Sequence, residues 1–80
     1  MLTTVLITVR NKFMPNLSED YWCPFVDLSD LQEVENCADE CCGNFLDTHG
    51  DIIYAMLGDV SFEQIAEACY YTVEEVTNLD

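Results

Sequence analysis

The chain has 80 residues, with two basic and sixteen acidic side chains and a formal charge of −14, yet half of it is apolar and 11% is aromatic. That apolar content excludes a disordered acidic tail, and no run of about 18 apolar residues exists to span a bilayer. The length suits one small domain, 1–80, and the charge repels nucleic acid and anionic lipid alike.

Residues 2–10 (LTTVLITVR) are β-branched and apolar with no cap signal, which predicts a strand with Val5, Ile7 and Val9 on one face. The stretch 11–20 holds Pro15, Asn16 and Ser18 and reads as a loop. Tyr21-Trp22-Cys23-Pro24-Phe25-Val26 is a second short strand, and Pro24 assigns it to an edge or a bulge. The two strands are expected to pair antiparallel, which makes 1–27 a β-hairpin region and 28–80 a helical region.

Ser29 and Gln32 have the spacing of a capping box. Behind them Leu31, Val34, Ala38, Cys41, Cys42 and Phe45 recur at three- and four-residue intervals and form one apolar stripe. Gly43 ends or weakens this helix, Asp47-Thr48-His49-Gly50 reads as a turn, and Asp51 caps a short helix over 52–57 that stops at Gly58. Ser61 with Gln64 opens a helix over 61–69, and Thr72 with Glu75 opens another over 72–79. The expected fold class is α+β: an N-terminal two-stranded antiparallel β element followed by three or four helices, in a single small domain.

The charge is distributed unevenly. Arg10 and Lys12 are the only basic residues, and no lysine or arginine follows Lys12. On the long helix Glu33, Glu40 and Asp47 recur every seven residues, about 10.5 Å of rise, with Asp30, Glu35 and Asp39 on the flanks. Carboxylates at such intervals on a rigid helix can occupy a groove shaped for phosphates. An ordinary solvated face mixes both signs, and this one does not. Glu67, Glu74 and Glu75 form a second candidate acidic cluster.

Ile65, Ala66, Cys69, Tyr70, Tyr71, Thr72, Val73 and Val76 have spacing similar to the helix-turn-helix of sigma factors and repressors. Tyr70 stands where glycine usually forms the turn, and the second helix would carry Glu74, Glu75 and Asp80 without a base, so it would repel phosphates rather than read DNA. Tyr70 and Tyr71 in a turn cannot both be buried, and at least one is expected to contact a protein partner. Cys37, Cys41, Cys42 and His49 have ligand types suited to zinc, but no C-x-x-C pair is present and two of the thiols fall on the apolar stripe. No metal or other cofactor is therefore assigned. His49 is the sole histidine, no phosphate-cradling glycine loop exists, and a carboxylate-rich field disfavours a thiolate, so the chain is not read as an enzyme and no catalytic residue is assigned. An odd number of cysteines, five, fits reduced thiols in a cytoplasm, and Met1-Leu2-Thr3-Thr4 lacks the features of a signal peptide.

A small, strongly acidic chain with no enzyme motif resembles phage and plasmid proteins that disarm bacterial defence, the anti-CRISPR proteins and the ArdA-type anti-restriction proteins. The order Val5-Leu6-Ile7, Asn11-Lys12-Phe13, Tyr21-Trp22 and then the acidic stretch 27–40 is similar to the opening of ArdA-type domains over the first 40 residues or so. The resemblance implies an inhibitor in the host bacterial cytoplasm that occupies the basic DNA-binding site of a CRISPR effector or restriction enzyme. It carries over no individual functional residue. Glu33, Glu35, Asp39, Glu40 and Asp47, with Glu67, Glu74, Glu75, Tyr70 and Tyr71, are the expected contact residues for a protein partner. The alternative is a regulatory adaptor of antitoxin or anti-sigma type that uses the helix-turn-helix-like half. Charge repulsion opposes self-association, while an apolar helix face leaves a homodimer open.

Overall fold

The structure, a computed structural model, describes residues 1–76. Strand β1 (Leu2–Asn11) is the centre of a three-stranded antiparallel sheet. It pairs on one side with β2 (Met14–Asp27) and on the other with β3 (Cys69–Val76). Between β2 and β3 run α1 (Leu31–Phe45), a π-helical turn (Leu46–Gly50), α2 (Asp51–Leu57) and the short α3 (Phe62–Glu67).

The expected fold, a two-stranded element followed by three or four helices, is therefore corrected. The segment read as a helix over 72–79 is strand β3 as far as Val76, and positions 77–79 lie outside the described residues. The local sequence explains the difference. Cys69-Tyr70-Tyr71-Thr72-Val73 is aromatic and β-branched, and such residues suit a pleated surface next to a partner strand. That partner is β1, whose second edge would otherwise lack hydrogen bonds; Ile7 faces Val73 and Thr8 faces Thr72 across the ladder. With β3 extended, the helix-turn-helix spacing has no structural counterpart.

Loop signals in 11–20 mark irregularities within a strand. A two-residue turn, Lys12-Phe13, joins β1 to β2. Asn11 then pairs with Met14 while Arg10 pairs with Ser18, so Pro15, Asn16 and Leu17 bulge out of the ladder. A second bulge sets Pro24 and Phe25 opposite Thr4, in the edge strand, where the missing N–H of proline is tolerated. Phe25 there takes a left-handed φ of 61°.

The long helix starts one residue later than the Ser29 box implies. Asp30 is the N-cap, its carboxylate accepting from the N–H groups of Gln32 and Glu33 at 3.2 and 3.3 Å. Ser29 instead donates its hydroxyl to Asp27 at 2.6 Å. Gly43 does not interrupt α1, and the residues joining α1, the π turn and α2 all keep right-handed helical backbone, so 31–57 is one helical run. It stops at Gly58, whose φ of 74° favours glycine. Ser61 and Gln64 do form the expected capping box, at the start of α3.

Alternation along β1 places Val5, Ile7 and Val9 against the helical layer, where all three are fully buried. They join Val26, Ala38, Cys41, Phe45, Ile53 and Ile65 in one core cluster. Removing each larger aliphatic or aromatic side chain from water contributes about 1.5–3 kcal/mol. The molecule is 16 Å across its thinnest dimension, consistent with one sheet under one helical layer. The other sheet face, with Leu6, Trp22 and Val76 among its residues, has no helix packed upon it among the described residues; Trp22 is 61% exposed.

Candidate functional site

Since β2 is an edge strand, its outer backbone groups have no neighbouring strand among the described residues. Beside that edge lies a cleft of about 310 Å³, formed by Tyr21, Trp22, Cys23 and Pro24 of β2 and Cys37, Glu40, Cys41 and Asn44 of α1. The four helical positions are spaced i, i+3, i+4 and i+7, so one flank of α1 forms the wall. Glu40 and Asn44 are exposed at the rim, whereas Cys41 is buried at the base.

The thiols are arranged for packing rather than nucleophilic chemistry. The Sγ atoms of Cys23 and Cys41 are 3.8 Å apart. Burial, reinforced by the hydrogen bond with Cys23 and by the neighbouring thiols, pushes Cys41 up to about 12. Burial also raises Cys37, with Cys23, Glu33 and Glu40 adding to it, and raises Cys42 beside Cys69 and Asp39. Cys69 is raised by burial against the opposing hydrogen bond from Asn11. These groups remain protonated thiols at neutral pH. Among the described residues, no group of three or more His, Cys, Asp or Glu side chains is placed to hold a metal ion. Cys42 is influenced by Cys69, and the His49 ring packs at 5.0 Å against Phe45, tilted by 53°. The Nε2 of His49 is 3.5 Å from Glu19 Oε1, within ion-pair range if protonated, but is buried without a hydrogen-bond partner.

The structure separates the expected contact residues. Glu40 is exposed and falls on the same stripe of α1 as Glu33, Cys37 and Asn44, following alternating steps of four and three, and Asp47 is exposed in the π-helical turn that follows. Glu33 is half-buried, its Oε2 accepting from the backbone N–H of Asp27 at 3.3 Å. Glu35 and Asp39 are exposed on another flank. Glu67 closes α3, while Glu74 and Glu75 alternate along β3 and face opposite sides of the sheet, so these three do not form one cluster. Tyr70 and Tyr71 likewise point to opposite faces, each 38% exposed. Tyr71 shares the helical side with Val9, and Tyr70 shares the uncovered side with Arg10.

Sequence reasoning missed Cys23, Tyr21 and Asn44 as neighbours of the acidic stripe. The Glu33-Cys37-Glu40-Asn44-Asp47 repeat was visible in the sequence, but its alignment with the edge of β2 depends on tertiary packing. No helix among the described residues is long and apolar enough to cross a membrane. No protein-family model, curated protein or solved structure matches the chain significantly. The fold and site define a two-layer α+β protein with an open sheet edge beside an acidic helix flank.

Proposed function

We propose that this chain is an acidic inhibitor that occupies the basic DNA-binding site of a bacterial defence complex, a CRISPR effector or restriction enzyme, by presenting carboxylates in place of phosphates. The observation that carries this reading is the continuous helical run on which Glu40 and Asp47 are both exposed, with no lysine or arginine anywhere on it. The run supplies fixed spacing, so the carboxylates need little ordering on binding. Among the described residues the only ion-pair geometry is His49 with Glu19, which leaves the stripe's charge available to a partner. Opposite charge would speed encounter and make it sensitive to salt.

Tagged protein should capture a DNA-binding defence complex at low salt and release it to high salt or competing duplex DNA. The double variant Glu40→Lys, Asp47→Lys should lose roughly tenfold or more in affinity, about 1.4 kcal/mol per factor of ten. Unchanged capture by that variant would refute the mimicry reading. The regulatory-adaptor alternative keeps one observation of its own, the uncovered sheet face bearing Trp22, Leu6 and Tyr70. Salt-resistant capture, abolished by Trp22→Ala, would favour that alternative.

A further inference from the structure

We propose that the groove between the free edge of β2 and the flank of α1 takes an extended, lysine-rich segment of the partner as a fourth strand of the sheet. The proposal rests on the reading above that the partner is a protein with a basic surface, and it assigns the segment and the mode of capture. Three observations converge on it.

First, β2 is an edge strand, and every second residue of such a strand directs its N–H and C=O away from the sheet. An added strand satisfies these groups with main-chain hydrogen bonds and gains affinity independent of its side chains. Second, α1 flanks that edge: Cys37, Glu40 and Asn44 line, with β2, a cleft that no strand among the described residues fills. A fourth strand would lie beneath this flank and direct alternate side chains into the cleft. The thiol-lined base accepts the aliphatic stem of a lysine while Glu40 at the rim receives its ammonium.

Third, the charge selects the occupant. Glu33 lies one turn before Cys37 on α1, Asp47 is exposed in the π turn beyond Asn44, and Glu19 lies on the helical side of β2 just before the cleft. Asp20, by contrast, faces the uncovered side and accepts from Thr8. A second copy adding through its own β2 would bring its Glu19 to the same side as Glu33, Glu40 and Asp47, together with a further charge of −14. A basic segment meets complementary charge along the groove. The bulge at Pro24 and Phe25 limits the added strand at one end, because Pro24 has no N–H to donate.

The test uses the full chain, labelled with nitrogen-15, and the peptide acetyl-Lys-Val-Lys-Val-Lys-Val-amide. A second peptide with proline at each valine position has the same charge but lacks those backbone donors. The valine peptide should bind, perturb the amides of 21–23 and of the Cys37–Asn44 flank, and slow hydrogen exchange at the β2 edge. The proline peptide and the Glu40→Lys variant should each weaken binding roughly tenfold. Asn44→Trp, at an exposed position, should fill the cleft and block the valine peptide while its circular dichroism stays that of the parent. Equal binding of both peptides, no binding of either, or perturbation confined to β3 or the uncovered sheet face would overturn the groove. Dimerisation through β2 in place of peptide binding would also overturn it. If Asn44→Trp still captures a defence complex in a salt-sensitive way, the groove fails while the inhibitor reading stands; loss of capture by Glu40→Lys, Asp47→Lys tests that reading separately.

Discussion

Asn11 is the one fully buried polar side chain among the described residues, and it joins three elements. Its Nδ2 donates to Ile65 O at 2.8 Å and to Cys69 Sγ at 3.3 Å, and its Oδ1 accepts from Phe13 N at 3.0 Å. Lys12 N donates to Ala68 O nearby, so the hairpin turn is fastened to the end of α3 and the start of β3. Asn11→Ala would leave the Ile65 carbonyl and the Phe13 N–H without these partners, and should lower stability by about 2 kcal/mol in a denaturant melt. Phe25 gives the opposite expectation. It holds a φ of 61° while 75% exposed, so little packing offsets the strain. Phe25→Gly should raise stability by about 0.5–1 kcal/mol, measured in the same way. Gly50 is constrained from outside: a Cβ there would meet the Phe62 ring at 2.9 Å, so the glycine permits α3 to pack against the π turn.

The cap signatures hold only where tertiary contacts agree with them. Ser61 and Gln64 cap a helix in place. Thr72 and Glu75 have the same spacing but lie in a strand, because pairing with β1 outweighs a local cap of about 1 kcal/mol. The packing of α1 on β2 also has a measurable signature. Cys41, ordinarily near 9.0, is pushed up to about 12 by burial and by Cys23. Its folded form holds the proton more tightly than its unfolded form. The resulting stability is fully present below pH 9.0 and lost as pH rises towards about 12. Urea midpoints should therefore fall between those limits, and Cys41→Ala, though less stable throughout, should show a shallower alkaline decline.

For the whole molecule, a charge of −14 acts against compaction, and the described residues contain almost no ion pairing to offset it. Raising ionic strength shortens the Debye length from about 10 Å at 0.1 M to about 3 Å at 1 M. The melting temperature should therefore rise with added sodium chloride by several degrees, roughly 4–8 °C per kcal/mol relieved in a domain of this size. The same salt should weaken attachment to a basic partner, so stability and binding are expected to move in opposite directions.

The first strand, the edge placement of Pro24, the exposed carboxylates of the long helix and the α3 capping box are legible from local sequence. Each depends on interactions within a few residues, or on the lack of an N–H that proline carries wherever it sits. That 69–76 forms a strand, that the helix continues through Gly43 and Gly50, and that the carboxylate-bearing flank of α1 lies beside a sheet edge follow from long-range packing. The physical reason is range: β3 is stabilised by hydrogen bonds to β1, more than fifty residues away in the chain, and the helix through Gly50 by packing against Phe62 and the core. Local spacing carries no record of such partners.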